Sequence, residues 1–135
     1  MKKIFLDTNF IIDLLLREEF KTTSQDFLAK GSLSGCGFYV SFLSIANFAY
    51  ICRKLPPAVL YQHLKTIDEL FFITSCTPEH IRSAMTLSAK DFEDALQYAV
   101  AIGSGCEMII TRNQKDFQFS TVPVMSAAEF MALHG

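Results

Sequence analysis

The stretch Lys2-Lys3-Ile4-Phe5-Leu6-Asp7-Thr8-Asn9-Phe10-Ile11-Ile12-Asp13 decides how the rest of the chain is read. The short apolar run Lys3–Leu6 has the composition of a buried strand. It ends in a carboxylate, a hydroxyl and an amide, and the apolar segment Phe10–Leu16 that follows reads as a helix. A buried strand ending in Asp-Thr-Asn sets a carboxylate on the rim of a sheet. In open α/β sheets the rim at the carboxyl ends of the strands is where ligands sit.

Outward from this stretch, strands and helices alternate. Arg17–Phe20 reads as a charged turn. Thr22–Lys30 reads as a helix with Thr22, Thr23 and Ser24 as cap candidates and Phe27 and Leu28 facing inward. The glycines and serines of Gly31–Gly37 predict a loop. Phe38–Val40 has strand composition and ends at Ser41. Phe42–Lys54 has helical length with apolar residues on several faces, so it is expected to be largely buried. Pro56 and Pro57 close it, and Pro57 suits the first turn of a helix running to about Leu70. Phe71–Ile73 is a short apolar strand. Thr77-Pro78-Glu79 opens a helix to about Ser88. Lys90-Asp91 opens another through about Ser104, ended by Gly103 and Gly105. Met108–Ile110 is a strand closed by Thr111, and Arg112–Phe119 is a polar loop or short helix. Val122–Met125 fits a last edge strand, because Pro123 argues against a central place. Ser126-Ala127-Ala128-Glu129 fits a capping box for a terminal helix. The alternation is that of an α/β fold with a central, mostly parallel sheet and helices on its faces.

The 135 residues are expected to form one domain, 1–135, able to bury a core without staples. Half the residues are apolar and 19% are charged, which excludes a disordered chain. A net charge of -2 gives no global pull toward nucleic acid, so a polyanion would be held by a local basic patch or through metal ions. Cys36, Cys52, Cys76 and Cys106 form no C-x-x-C, and with His63, His80 and His134 they complete no zinc pattern. Free thiols in a reducing cytoplasm are expected. Asp7, Asn9 and Asp13 break the Lys-Lys-Ile-Phe-Leu start before a secretory leader forms, and no stretch is apolar enough to span a membrane.

Three strands thus end in polar residues, Asp7, Ser41 and Thr111, and in a parallel sheet those ends share one rim. Asp91 and Asp94 lie three apart at a helix start, on one face. Asp116 follows the strand that ends in Thr111. If strand order gathers these acids, their like charges raise one another's pKa and oppose folding. A hard divalent cation such as Mg²⁺ or Mn²⁺ relieves that repulsion. A metal so held lowers the pKa of a bound water and steadies a phosphodiester's developing charge, and two ions about 4 Å apart clamp both reacting oxygens. Each residue also has a plainer role. Asp91 and Asp94 suit an N-cap and first-turn acid, Asp7 an Asx-type turn, Asp116 a loop acid, and Asp13 a solvated or turn position. Arg112 and Lys115 suit phosphates or a solvated surface. Tyr39, Phe42, Phe48 and Tyr50 suit base stacking, but their context favours core packing.

Asp7-Thr8-Asn9 after a strand, Asp91-Phe92-Glu93-Asp94-Ala95-Leu96-Gln97, and Thr111-Arg112-Asn113-Gln114-Lys115-Asp116-Phe117 together resemble the PIN-domain nucleases, in order and spacing over the whole chain. The likeness is greatest to the small bacterial toxin-type, VapC-like members, which pair with an antitoxin. The resemblance implies a three-layer PIN-like sandwich, an acidic pocket for Mg²⁺ or Mn²⁺, and cleavage of single-stranded RNA. The family's metal-holding acids fall on Asp7, Asp94 and Asp116, with Asp91 an extra acid of some relatives. Asn9, Ser41 and Thr111 fall on polar positions lining the pocket and Asn113 on a supporting one, with Arg112 and Lys115 placed to help seat the RNA backbone.

One position departs from the pattern. The family usually carries a glutamate about one turn into the helix after the second strand, and here Asn47 stands there. An amide keeps an oxygen but removes a charge, which lowers metal affinity and puts a second metal in doubt. Asp91 would compensate if it pointed inward. The leading expectation is a metal-dependent endoribonuclease with an antitoxin partner, in the cytoplasm, with a homodimer as a further expectation from its apolar helices. The alternative is a PIN-like binding module, weakened at Asn47, that acts through a protein partner. Receiver and phosphatase readings also start from an Asp after a first strand. The first wants paired early acids, a mid-chain acceptor Asp and a late Lys, and no such set fits here; the second wants an Asp at position 9, where Asn9 stands.

Overall fold

The chain folds around five short strands, seen in a computed structural model that describes residues 1–134. They are β1 (Lys2–Leu6), β2 (Cys36–Ser41), β3 (Phe72–Thr74), β4 (Met108–Ile110) and β5 (Val124–Met125). All neighbours pair in parallel, in the order β3-β2-β1-β4-β5. The chain therefore starts in the middle of the sheet, builds outward to one side, and then returns to the other side of β1. The strand order reverses between β1 and β4, and a crevice opens at the carboxyl ends there. Leu6 pairs with Ile110, so the next residues, Asp7 and Thr111, leave the sheet side by side.

Both faces of the sheet are covered, as a parallel sheet requires. The strands alternate between two cores with period two. Ile4, Leu6, Phe38, Val40, Met108 and Ile110 face one core, and Phe5 and Ile109 face the other. The first core is closed by α1 (Thr8–Leu15), α2 (Glu18–Leu33), α3 (Phe42–Ile51), α4 (Pro57–Leu70) and α7 (Ala127–His134). Phe27 of α2 is fully buried there, with its ring against Phe10, Phe38 and Phe130 at centroid distances of 5.4, 5.4 and 5.1 Å. The second core is closed by α6 (Phe92–Gly103), with α5 (Pro78–Met85) packed on it through Ala84 and Ala99.

Several local expectations are met. Pro57 and Pro78 occupy first turns. Ser126 and Glu129 form a reciprocal capping box, with Glu129 N donating to Ser126 Oγ and Ser126 N to the Glu129 carboxylate, both at 3.1 Å. β5 is an edge strand that begins after Pro123. Others are corrected. Arg17–Phe20 is no turn: α2 starts at Glu18, helped by Glu18 and Glu19 beside the positive end of the helix dipole. The expected loop from Gly31 is still helix to Leu33. Gly31 serves close packing, since a Cβ there would stand 2.5 Å from the Phe38 ring. Only Gly35, at φ +82°, makes the turn. The helix after β2 is shorter than expected and not largely buried. Ser44 and Phe48 face the core, whereas Phe42, Tyr50 and Ile51 are exposed. Phe42 and Tyr50 are therefore surface residues rather than core. No helix among the described residues is long and apolar enough to cross a membrane, and all four cysteines are free.

Candidate active site

Asp7 ends β1 and caps α1, and its two carboxylate oxygens are held from different directions. Thr8 N donates to Oδ1 at 2.9 Å, and Thr111 Oγ1 donates to Oδ2 at 3.1 Å. The Thr111 hydroxyl in turn accepts Asn113 N at 3.1 Å, which fixes its proton toward Asp7. Asp7 is buried. Burial raises its carboxyl above the ordinary range, opposed by the Thr111 and Thr8 hydrogen bonds and reinforced by the charges of Glu93 and Asp116.

Beneath Asp7 lies a polar network that the sequence reading did not anticipate. Gln97 of α6, 1% exposed, accepts Ser41 Oγ at 2.6 Å and donates to Ser44 Oγ at 3.0 Å and Thr8 Oγ1 at 3.2 Å. The Thr8 and Ser44 hydroxyls lie 2.8 Å apart, and Ser41 Oγ also caps α3 by accepting Ser44 N. One amide thus ties the ends of β1 and β2 and the starts of α1 and α3 to α6. Among the described residues no buried side-chain polar atom lacks a partner. Ser41 was expected to line the pocket. It is instead buried below the pocket floor, because its hydroxyl is consumed by Gln97 and the α3 cap.

The acids open on two adjoining hollows. One, of about 280 Å³, is lined by Asp7, Asn9, Asn47, Tyr50, Glu93 and Asp94 among others. The second, of about 480 Å³, is lined by Lys90, Asp91, Asp94, Lys115, Asp116 and Phe119 among others. Asp94 belongs to both and forms the wall between them. Its carboxyl is raised to about 7, first by burial and then by Asp91, Asp7, Asp116 and Glu93. The expected facing of three carboxylates is thus divided: Asp94 lines both hollows, with Asp7 and Glu93 in the first and Asp91 and Asp116 in the second. Asp91 is placed differently from the inward position that would compensate for Asn47. Its Oδ1 caps α6 by accepting Glu93 N at 2.9 Å, and it faces the second hollow.

The donors suit a hard cation, but not as a three-carboxylate cage of Asp7, Asp94 and Asp116. Among the described residues no three His, Cys, Asp or Glu side chains stand together as a metal-ligating group. Asp116 lines the hollow that Asp7 does not reach. Mg²⁺ is commonly held by one or two carboxylates, with waters and phosphate oxygens filling the other positions. Asp7 and Asp94, which share one hollow, fit that mode.

Arg112 departs from its expected role. Its Nε and Nη2 donate to Asp13 Oδ2 and Oδ1 at 2.6 and 3.1 Å, and its guanidinium lies 4.3 Å over the Phe20 ring. The hydrogen bonds to Asp13 raise the Arg112 pKa further above its ordinary range. Asp13, expected to be solvated or in a turn, is buried within α1 and also accepts Arg17 Nη1 at 3.2 Å. The pair borders a separate, mainly apolar cavity of about 270 Å³ between α1, α2, α7 and the end of β4. Arg112 is thus bound to Asp13, away from the acids, and the cations lining them are Lys90 and Lys115.

The sequence model of the family described as PIN domain matches residues 3–115. The chain belongs to the PIN-domain family. The comparison with individual PIN proteins agrees. Ribonuclease VapC1 of Aquifex aeolicus (strain VF5) is 23% identical over 138 residues, covering 96% of this chain and 93% of that protein. Two solved structures share the PIN fold over nearly the whole chain. FitAB bound to an IR36 DNA fragment superposes with a TM-score of 0.76 at 19% identity, covering 92% of this chain and 94% of the other. A toxin–antitoxin complex from Klebsiella pneumoniae gives a TM-score of 0.67 at 22% identity, covering 92% and 97%. The two-sided parallel sheet of the PIN sandwich is thus the fold that the resemblance in the sequence implied.

Proposed function

We propose that this PIN protein is a divalent-metal-dependent endoribonuclease of single-stranded RNA and the toxin half of a toxin–antitoxin pair. The observation that carries the proposal is the hollow at the switch point that Asp7 and Asp94 share, with Asp94 raised to about 7 first by burial and then by Asp91, Asp7, Asp116 and Glu93. Burial and the neighbouring like charges both disfavour the ionised carboxylate, and a bound cation would offset both. Asp7 and Asp94 would hold Mg²⁺ or Mn²⁺, with Asn9 and Asn47 offering amide oxygens nearby. When bound, the ion supplies a charge for the scissile phosphate and an acidified water.

The chain's own residues prepare that chemistry. Thr111 and Thr8 N fix the orientation of Asp7, and the Gln97 network fixes the backbone beneath it. Lys115 and Lys90, beside Asp116, would take backbone phosphates. Tyr50 is exposed at the mouth of the Asp7 hollow, with the Arg53 guanidinium 4.0 Å over its ring, and would offer a stacking face to an unpaired base. Asn113 supports the site through its backbone N–H on Thr111.

The likeness to the Aquifex ribonuclease and to the Klebsiella toxin–antitoxin complex supports the ribonuclease and antitoxin parts of the reading. Exposed apolar residues such as Phe42, Tyr61 and Phe72 suit a protein partner, either an antitoxin or a second copy. Four free thiols suit the cytoplasm. Asn47 favours the second reading, a PIN-like module that binds without cutting. Incubation with an unstructured RNA in Mn²⁺, in Mg²⁺ and in EDTA separates the two. The nuclease reading expects cleavage with either metal and none in EDTA. The absence of cleavage at any metal concentration favours the binding module.

A further inference from the structure

Glu93 is exposed at the start of α6, yet its carboxylate is not free to wander. Asn47 Nδ2 of α3 donates to Glu93 Oε1 at 2.6 Å. Among the described residues Oε2 has no hydrogen-bond partner, so one oxygen is clamped and the other is available. Both residues line the hollow that Asp7 and Asp94 share. Asp91 cannot fill this place, because it caps α6 and faces the second hollow.

The structure assigns to Glu93 the third negative charge of the Asp7–Asp94 pocket, with Asn47 as its positioning residue. The charge that the family pattern sets on α3 is delivered here from α6, one residue before Asp94, and the α3 position has become the amide that aims it. An aspartate or glutamate at 47 would repel Glu93, whereas an asparagine donates to it. Asn47 and Glu93 are thus one device rather than a lesion beside an idle surface acid. Acting through the ion's water, a charge so placed tightens binding, as outer-shell partners of metal sites do.

This inference rests on the metal-dependent reading of the site, and the test keeps the two apart. Mn²⁺ binding to the whole protein is titrated by calorimetry, with unfolding in EDTA followed in parallel. Glu93→Gln is expected to weaken Mn²⁺ by about tenfold without lowering the melting temperature in EDTA. Asn47→Ala weakens it in the same direction, with no added loss in Asn47→Ala/Glu93→Gln, since the amide acts through the acid. Asn47→Glu/Glu93→Gln, which returns the charge to α3, recovers most of the affinity. If Glu93→Gln binds Mn²⁺ like the wild type while Asp7→Asn has lost it, the role of Glu93 is overturned and the metal site stands. If the wild type takes up no Mn²⁺, both are overturned.

Discussion

Replacing Gln97 with leucine tests whether the buried amide really joins the site to the rest of the fold. The side chains are of similar size, so the change removes polarity with little cavity. Three hydrogen bonds disappear, those to Ser41, Ser44 and Thr8. The losses are unequal. Thr8 and Ser44 keep each other at 2.8 Å, whereas the Ser41 proton loses its acceptor in a fully buried position. A net hydrogen bond contributes about 1 kcal/mol, and a stranded buried donor costs about 1–3 kcal/mol. The added apolar burial of leucine offsets part of this, roughly 1–2 kcal/mol. The expected destabilisation is about 2–4 kcal/mol, a fall in melting temperature of roughly 6–15 °C for a chain of this size. Equilibrium urea unfolding in EDTA measures it, and an unchanged m-value shows that the denatured state is not the cause. Ser41→Ala in the Gln97→Leu background is expected to cost less than in the wild type, with a coupling of about 1 kcal/mol or more. A Gln97→Leu loss below about 0.5 kcal/mol, or strict additivity with Ser41→Ala, refutes the network as a structural tie.

Arg112→Ala is expected to lower stability by about 2–4 kcal/mol, because Asp13 keeps only Arg17 while remaining buried; unchanged urea stability with weakened RNA binding would return Arg112 to the role of a backbone-gripping cation. The pH dependence follows from Asp94. Its folded pKa of about 7 lies above the ordinary 3.8, so the folded state holds this proton more tightly and metal-free stability falls as pH rises from about 4 to 7. The loss is on the order of 1–2 kcal/mol once solvent screening of this half-exposed group is allowed for. Asp94→Asn should remove that part of the slope, and a slope unchanged in the variant contradicts it. Tyr50→Ala is expected to weaken single-stranded RNA binding by about 1–3 kcal/mol in fluorescence anisotropy, with no change in melting temperature; equal affinities would remove Tyr50 from the RNA path.

Much of the fold is legible in the sequence because its signals are local. Short apolar runs bounded by helix starts mark the strands, Pro57 and Pro78 mark first turns, and Pro123 marks the edge. The order of the sheet is not local, yet it is what brings Asp7 beside Thr111. The misread places share one cause, which is that tertiary partners override residue type. Gly31 looks like a loop residue until Phe38 is set against it. Arg17 looks like a turn residue until Asp13 holds it. Arg112 looks like a phosphate ligand for the same reason, because its partner lies 99 positions earlier in the chain. Asp7, Asp94 and Asp116 are candidates in the sequence from strand ends, a helix start and the family resemblance, but their division between two hollows depends on which way α6 faces. Gln97 and Glu93 carried a usable signal. A glutamine in an otherwise apolar helical run must find buried partners, and an acid beside Asp94 faces a helix start where Asn47 stands.

On the proposed function, the carboxylates at the end of β1 and the start of α6 do chemistry on RNA. Single-turnover cleavage of an end-labelled, unstructured RNA in Mn²⁺, comparing the wild type with Asp7→Asn, tests it most directly. The substitution keeps one oxygen for Thr8 N and sets an amide N–H where the second oxygen was, which the Thr111 hydroxyl can accept by rotating its proton away, so circular dichroism and the melting temperature in EDTA should report an intact fold. The expected result is metal-dependent cleavage by the wild type and a loss of at least about a hundredfold in rate for the folded variant. Cleavage at the wild-type rate by Asp7→Asn, or by the wild type in EDTA, would contradict the account.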